Sequence, residues 1–166
     1  MGGRGDHREA PDWFGLRYPS QEDLEAYACD LGASVVSGPV PKGAYFPARV
    51  LNDGMCAPPV IVVPDSSPLA RAWSLAHELG HLVLHSGPKG ELYWRRDEAK
   101  ANRWASCALI PEARIALHSN ASTDAFIGAL SAHFEELPLI DCASRRLAGK
   151  IARHRIHALS VSQKES

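Results

Sequence analysis

No two of the four cysteines, Cys29, Cys56, Cys107 and Cys142, form a CxxC pair or a closely spaced framework. That absence excludes a cysteine-built zinc knuckle and leaves reduced, partly buried thiols of a cytoplasmic chain as the expected state. An excess of one charge is missing too. With 18 Lys+Arg against 19 Asp+Glu, there is no global basic field to recruit nucleic acid and no strongly acidic character. No apolar run approaches the roughly 20 residues of a membrane span, and Met1-Gly2-Gly3-Arg4-Gly5-Asp6 lacks the apolar core of a signal peptide. A soluble chain with no membrane partner is expected, and internal repeats are not apparent.

What is present suits one domain, since 166 residues are enough to bury roughly two thirds of the unfolded surface. Residues 1–12 are Gly-rich and charged and read as a disordered leader, 13–160 as the folded domain, and 161–166 as a flexible tail. Ser20 and Asp23 resemble a capping box, and Leu24, Tyr27, Ala28 and Leu31 recur at helical spacing before Gly32. Strand candidates follow at Ala33 to Ser37, Ala44 to Leu51 and Val60 to Val63, with Pro47 suggesting an edge position for the second. A small antiparallel or mixed sheet of about three strands results. Later helices are expected from about Asp97 to Ile110, Pro111 to His118, Thr123 to Leu137 and Asp141 to Leu159, so the part beyond about residue 112 is helical.

The most informative stretch runs from Pro68 to His85 and is centred on His77-Glu78-Leu79-Gly80-His81. At about 100° per residue, histidines four apart lie one above the other on a helix face, with the intervening glutamate beside them. Two neutral imidazoles so placed can each give a zinc ion a nitrogen at roughly 2.0–2.1 Å, and the carboxylate lies close enough to take a proton from water on the metal. Asp65-Ser66-Ser67 offers N-cap oxygens, Pro68 suits the first turn, and Gly87-Pro88 ends the run. Leu69, Ala72, Trp73, Ala76, Leu79, Leu82 and Val83 put apolar groups on nearly every turn, so this helix is expected to be mostly buried. A surface helix with incidental polar residues is the plain alternative, because so short a motif also arises by chance and only context confirms it.

A catalytic zinc site takes three protein ligands and an open position. The metzincin spacing would put a histidine at position 87, which is Gly87, and His85 reads as a C-terminal cap of the helix. A His, Asp or Glu on a second helix is then sought, where Glu98 is a candidate with Asp97 competing, and a solvated first-turn glutamate is the plain reading of the former. Glu98-Ala99-Lys100-Ala101-Asn102 is followed by Trp104 and Ala105 and closes on Leu109-Ile110-Pro111. An N-terminal helix, a small sheet, an Ala-His-Glu-Leu-Gly-His helix and this ExxAN segment, in that order, resemble the ImmA/IrrE family of gluzincin-type metallopeptidases, also called M78. The resemblance covers about Ser20 to Pro111, with a weaker likeness in the helical tail.

That resemblance implies an α+β fold, a mainly helical zincin-like single domain with its small sheet packed against the HExxH helix. It also implies one Zn²⁺ per chain held by His77, His81 and Glu98, with Glu78 as general base. Asn102, four residues after Glu98, shares its helix face and can accept a hydrogen bond from the second nitrogen of a ligand histidine. The implied substrate is a protein, often a helix-turn-helix repressor encoded beside the peptidase in a mobile element or stress operon. Departures are Trp104 where Phe is usual and Cys107-Ala108 where Glu-Leu is common. Neither the helix-turn-helix module of some members nor the long C-terminal domain of the radiation-response members is seen.

The expected activity is therefore zinc-dependent endopeptidase hydrolysis, with Glu78 taking a proton from water and delivering it to the leaving amine. Tyr93, His85 and His118 are the candidates for stabilising the oxyanion, and an extended peptide is expected to pair with an edge strand, for which Val60 to Val63 is the candidate. A rival reading starts from Arg145, Arg146, Lys150, Arg153, Arg155 and Lys164, a basic stretch without an acid that could serve a DNA-binding or catalytically silent regulator-binding module. Glu135 and Glu136 just upstream, and the lack of aromatics among these bases, argue against direct nucleic-acid binding. The intact HExxH and Glu98 argue against a silent one.

Overall fold

The computed structural model describes residues 10–39, 49–51, 58–84, 94–115, 122–134 and 142–162. Within them the chain forms helix α1 (Gln21–Asp30), strands β1 (Ser34–Gly38), β2 (Arg49–Leu51) and β3 (Val60–Pro64), and helices α2 (Pro68–Leu84), α3 (Trp94–Leu109), α4 (Glu112–Ile115), α5 (Thr123–His133) and α6 (Cys142–Ser162). The mainly helical chain with a small sheet matches the expected α+β class. Boundaries moved modestly, with α3 starting a turn earlier than Asp97 and α6 running into the expected tail as far as Ser162. Most of the expected leader lies outside the described residues, as do Pro47, His85, Tyr93 and His118.

The capping box at α1 is present: Ser20 Oγ accepts the Asp23 N–H at 3.1 Å, and the Asp23 carboxylate accepts the Ser20 N–H at 2.7 Å. Arg17 donates to both carboxylate oxygens of Asp23 at 2.6 and 2.8 Å, which ties the preceding segment to the helix start and holds that carboxyl well below the usual range. Gly32 ends the helix at φ +78°, a left-handed geometry that suits glycine, and Ala33 N–H reaches back to the Ala28 carbonyl at 2.8 Å. Ahead of α1, Phe14 lies 5.2 Å from the Trp104 ring of α3, and Tyr27 stacks on Trp104 at 6.2 Å and 10°. The tryptophan that departs from the family pattern thus joins an aromatic cluster linking α1, α3 and the N-terminal segment.

The three strands are ordered β1-β3-β2, with β3 parallel to β1 and antiparallel to β2. A mixed sheet is one of the two arrangements the sequence allowed, and the purely antiparallel one is excluded. A second correction concerns peptide pairing. β3 is the central strand, and Val60, Ile61 and Val62 already pair on both sides, so among the described residues this stretch is not an edge open to a substrate. The run Val60-Ile61-Val62-Val63 reads the same for an edge or a centre, because side-chain pattern reports which faces are covered and not which backbone groups are paired. Ile61 and Val63 are fully buried, and β3 leads directly into α2.

From Ala72 to Gly80 every residue of α2 is buried. Residues 77, 80 and 81 of this helix meet 102, 101 and 98 of α3, so the pair runs antiparallel. Gly80 sets their separation: a Cβ there would stand 3.1 Å from both Cα and the carbonyl oxygen of Ala101, closer than ordinary packing. Helix α6 closes over α3 through Arg155, which is 5 % exposed; its Nε donates to the Ile110 carbonyl at 2.8 Å and its guanidinium reaches Cys107 Sγ at 3.4 Å. A buried cation on the last carbonyls of a helix satisfies groups the helix itself leaves open. Arg145, Arg146 and Arg153 are exposed, but Lys150 is half-buried and Arg155 is buried, so the basic stretch is split between solvent and the interior.

If the α2 to α3 contact is this tight, Gly80→Val overpacks it and should cost about 2 kcal/mol in urea unfolding of the full chain. An unchanged midpoint and slope would contradict the close approach.

Candidate metal centre

Two helices bring the sequence candidates together. α2 supplies His77, Glu78 and His81; α3 supplies Glu98 and Asn102. His77 Nε2 and His81 Nε2 are 3.1 Å apart, and the Glu98 carboxylate lies 3.2 Å from the first and 3.1 Å from the second. Asn102 Oδ1 sits 3.1 Å from His77 Nδ1; as that oxygen can only accept, Nδ1 carries the proton and Nε2 presents its lone pair to the cluster. Lone pairs from two imidazoles and a carboxylate converging on one point repel each other unless a proton or cation lies among them. Bonds of about 2.0–2.1 Å in a tetrahedral zinc shell place ligand atoms about 3.3 Å apart, close to this triangle. The donor set therefore fits a divalent ion of zinc's size, and His77, His81 and Glu98 are the residues that could hold it. The side chain of Asp97, the competing acid, lies outside the described residues.

Burial falls steeply across the cluster. The His77 side chain is 3 % exposed and that of Glu98 is 42 % exposed, with His81 nearer to His77, so access is from the α3 side. Burial holds His77 down at about 4, helped by its neighbour His81 and opposed by the bond to Asn102. Glu78 is 7 % exposed and is pushed up to about 8 by burial and then by the negative charge of Glu98. A neutral histidine is the form that binds a metal, and a divalent ion beside Glu78 would restore its carboxylate.

A third wall of the cluster was not legible in the sequence. Trp73, one turn before His77, lies 6.3 Å from the His77 ring and stacks on His154 of α6 at 6.0 Å and 15°. Lys150 places its ammonium 5.8 Å from the centroid of the same indole. No motif spacing links positions some seventy residues beyond His77 to the HExxH helix, and only the docking of α6 brings them close.

Two histidines four apart, a glutamate between them and a carboxylate from the next antiparallel helix make the geometry of the HExxH metal-dependent hydrolases. A family model, Peptidase_M78 (IrrE N-terminal-like domain), matches residues 30–138, and the chain belongs to this peptidase family. The match spans both helices of the cluster and ends before α6. No curated protein and no solved structure matches the chain significantly. Among the described residues, no helix is long and apolar enough to cross a membrane.

The titrations have a readable consequence for the metal-free protein. Glu78 is about 8 when folded and about 4.3 when unfolded, so the folded state retains a proton across that window and stability should fall as pH rises through it. His77 works in the other direction over the lower part of that window: from about 6.5 unfolded to about 4 folded, it costs stability as pH falls, so the two effects offset each other up to about pH 6.5 and the net decline falls between about 6.5 and 8. Chelator-treated Glu78→Gln should therefore be more stable than wild type at pH 8 and should lack the decline between about pH 6.5 and 8. Parallel stability curves for the two proteins would refute the buried carboxyl.

Proposed function

We propose that the chain is a cytoplasmic zinc-dependent endopeptidase that hydrolyses a protein substrate, a helix-turn-helix transcriptional repressor of a mobile element or stress operon. The observation that carries this reading is the triangle of His77, His81 and Glu98, with donor atoms 3.1 to 3.2 Å apart and the buried Glu78 beside them. Membership of the peptidase family supports the hydrolytic class. Zinc held there supplies Lewis acidity, making water acidic enough to lose a proton near neutral pH and polarising the scissile carbonyl.

The remaining work belongs to the chain. Asn102 fixes the tautomer and plane of His77, so its Nε2 faces the donor triangle without reorganisation. Glu78 accepts the proton of the attacking water and returns it to the leaving nitrogen; a carboxyl already displaced toward neutrality suits both transfers. The exposed side of Glu98 admits the peptide, and the buried His77 side excludes water behind the reacting bond.

A catalytically silent regulator-binding module is the second reading, and the split basic stretch of α6 gives nucleic acid a smaller continuous surface than the sequence alone suggested. Metal analysis of the purified chain should give about one zinc per chain, with Ala at His77, His81 or Glu98 losing it. Co-expression with a helix-turn-helix repressor encoded beside this chain should cleave the repressor for wild type and leave it intact for Glu78→Gln. Equal cleavage by both would remove Glu78 from the mechanism, and binding without cleavage by wild type would favour the silent module.

A further inference from the structure

We propose that Lys150 of α6 is a catalytic residue of this site, its ammonium receiving the carbonyl oxygen of the scissile peptide as that oxygen takes on negative charge. The inference rests on the peptidase reading above and assigns the oxyanion donor that reading left open.

The movement of charge during the reaction calls for such a group. A divalent ion is neutralised by one ligand carboxylate, Glu98, and one base carboxylate, Glu78. As water gives its proton to Glu78, the negative charge of that carboxylate moves onto the carbonyl oxygen, so the net charge is unchanged but its new position requires a hydrogen-bond donor, in a pocket whose His77 side is closed to solvent. Outside the three donors, the described basic groups that act on His77 are Lys150 and His154, and Lys150 also feels the charge of Glu98. Both come from α6.

Their roles differ by geometry. The His154 ring lies nearly parallel to the Trp73 indole, 6.0 Å from it at 15°, which uses its face in packing. Lys150 is one turn earlier on the helix, half-buried, with its ammonium 5.8 Å from the same indole centroid. Cation–π attraction holds the flexible stem over a ring that is 2 % exposed and neighbours His77. Trp73 Nε1 has no hydrogen-bond partner among the described residues, so ring packing alone positions that platform. Arg155 anchors the helix one turn further on by its bond to the Ile110 carbonyl, so the approach of Lys150 is fixed from a buried point. An ammonium on such a mount donates hydrogen bonds and needs to lose no proton to do so.

In the step itself, Glu78 takes a proton from water and the water oxygen bonds to the carbonyl carbon. The carbonyl π pair moves to oxygen, where Lys150 donates an N–H hydrogen bond and keeps its proton. When the carbon–nitrogen bond breaks, the pair on oxygen re-forms the carbonyl, and the departing nitrogen takes its electrons and the proton held by Glu78.

Inorganic phosphate is a suitable anion probe. With Co²⁺ in place of zinc in the full chain, phosphate titrations followed by the visible spectrum should give about tenfold weaker binding in Lys150→Met than in wild type, with metal content and unfolding midpoint retained. Lys150→Arg should recover most of the affinity, and Lys150→Gln serves as the second neutral variant should the methionine protein fold poorly. In repressor cleavage, Lys150→Met should lower kcat by about 10²-fold or more with KM unchanged. Equal phosphate affinity in wild type and the neutral variants would overturn the proposal, as would a raised KM with unaltered kcat, which belongs to recognition of a substrate carboxylate. Failure of wild type to bind metal at all would overturn the peptidase reading beneath it, a result distinguishable from metal-loaded protein that is indifferent to Lys150.

Discussion

The approach of α2 to α3 at Gly80 and Ala101 is the constraint on which the rest of the centre depends. Contact at 3.1 Å between a hypothetical Cβ and the facing backbone means the two helices are as near as packing allows. That spacing lets an acid on α3 reach the two imidazoles on α2, and one turn further along lets Asn102 reach His77. A side chain at position 80 would separate the helices, and ligand atoms on different helices would no longer converge. The small residues around the motif, Ala72, Ala76, Gly80, Ala101, Ala105 and Ala108, are all buried and make the close crossing possible.

Burial then divides the labour within the cluster. His77 lies deepest, Glu98 is the most open, and Glu78 is removed from water although it is ionisable. Isolated in this way, an acid and a histidine shift in opposite directions, the acid upward and the histidine downward, because each charged form loses hydration. The Glu78 shift weakens the bare fold at neutral pH, and the His77 shift does so as pH falls below about 6.5. They are the cost of a site in which a cation, once bound, meets neutral imidazole and regains a carboxylate, so metal binding and folding are coupled.

Helix α6 changes the meaning of the basic C-terminal stretch. In the sequence its bases form one run, and a run without acids suggests a surface for polyanions. Folded, Arg155 serves as a buried cap for the end of α3 while Lys150 turns toward the Trp73 ring, leaving Arg145, Arg146 and Arg153 in solvent. The family match ends at residue 138, before this helix begins, so the third wall of the centre is contributed by a part of the chain outside the matched domain.

Local signals determined much of the chain. The capping box at Ser20, the breaker at Gly32, the apolar run at Val60 and the helical spacing of His77, Glu78 and His81 each depend on residues within a few positions, and each appears where short-range stereochemistry required it. The choice of Glu98 and Asn102 was also legible, but through resemblance to a family pattern, because no local rule pairs one helix with another. Strand order escaped the sequence: apolar alternation reports which face is buried and leaves open which edge is paired, so β3 could be taken for an edge. The arrival of Lys150 and His154 beside Trp73 was decided by tertiary packing alone, since it depends on how one helix docks across two others and on a buried arginine 45 positions from the carbonyl it holds.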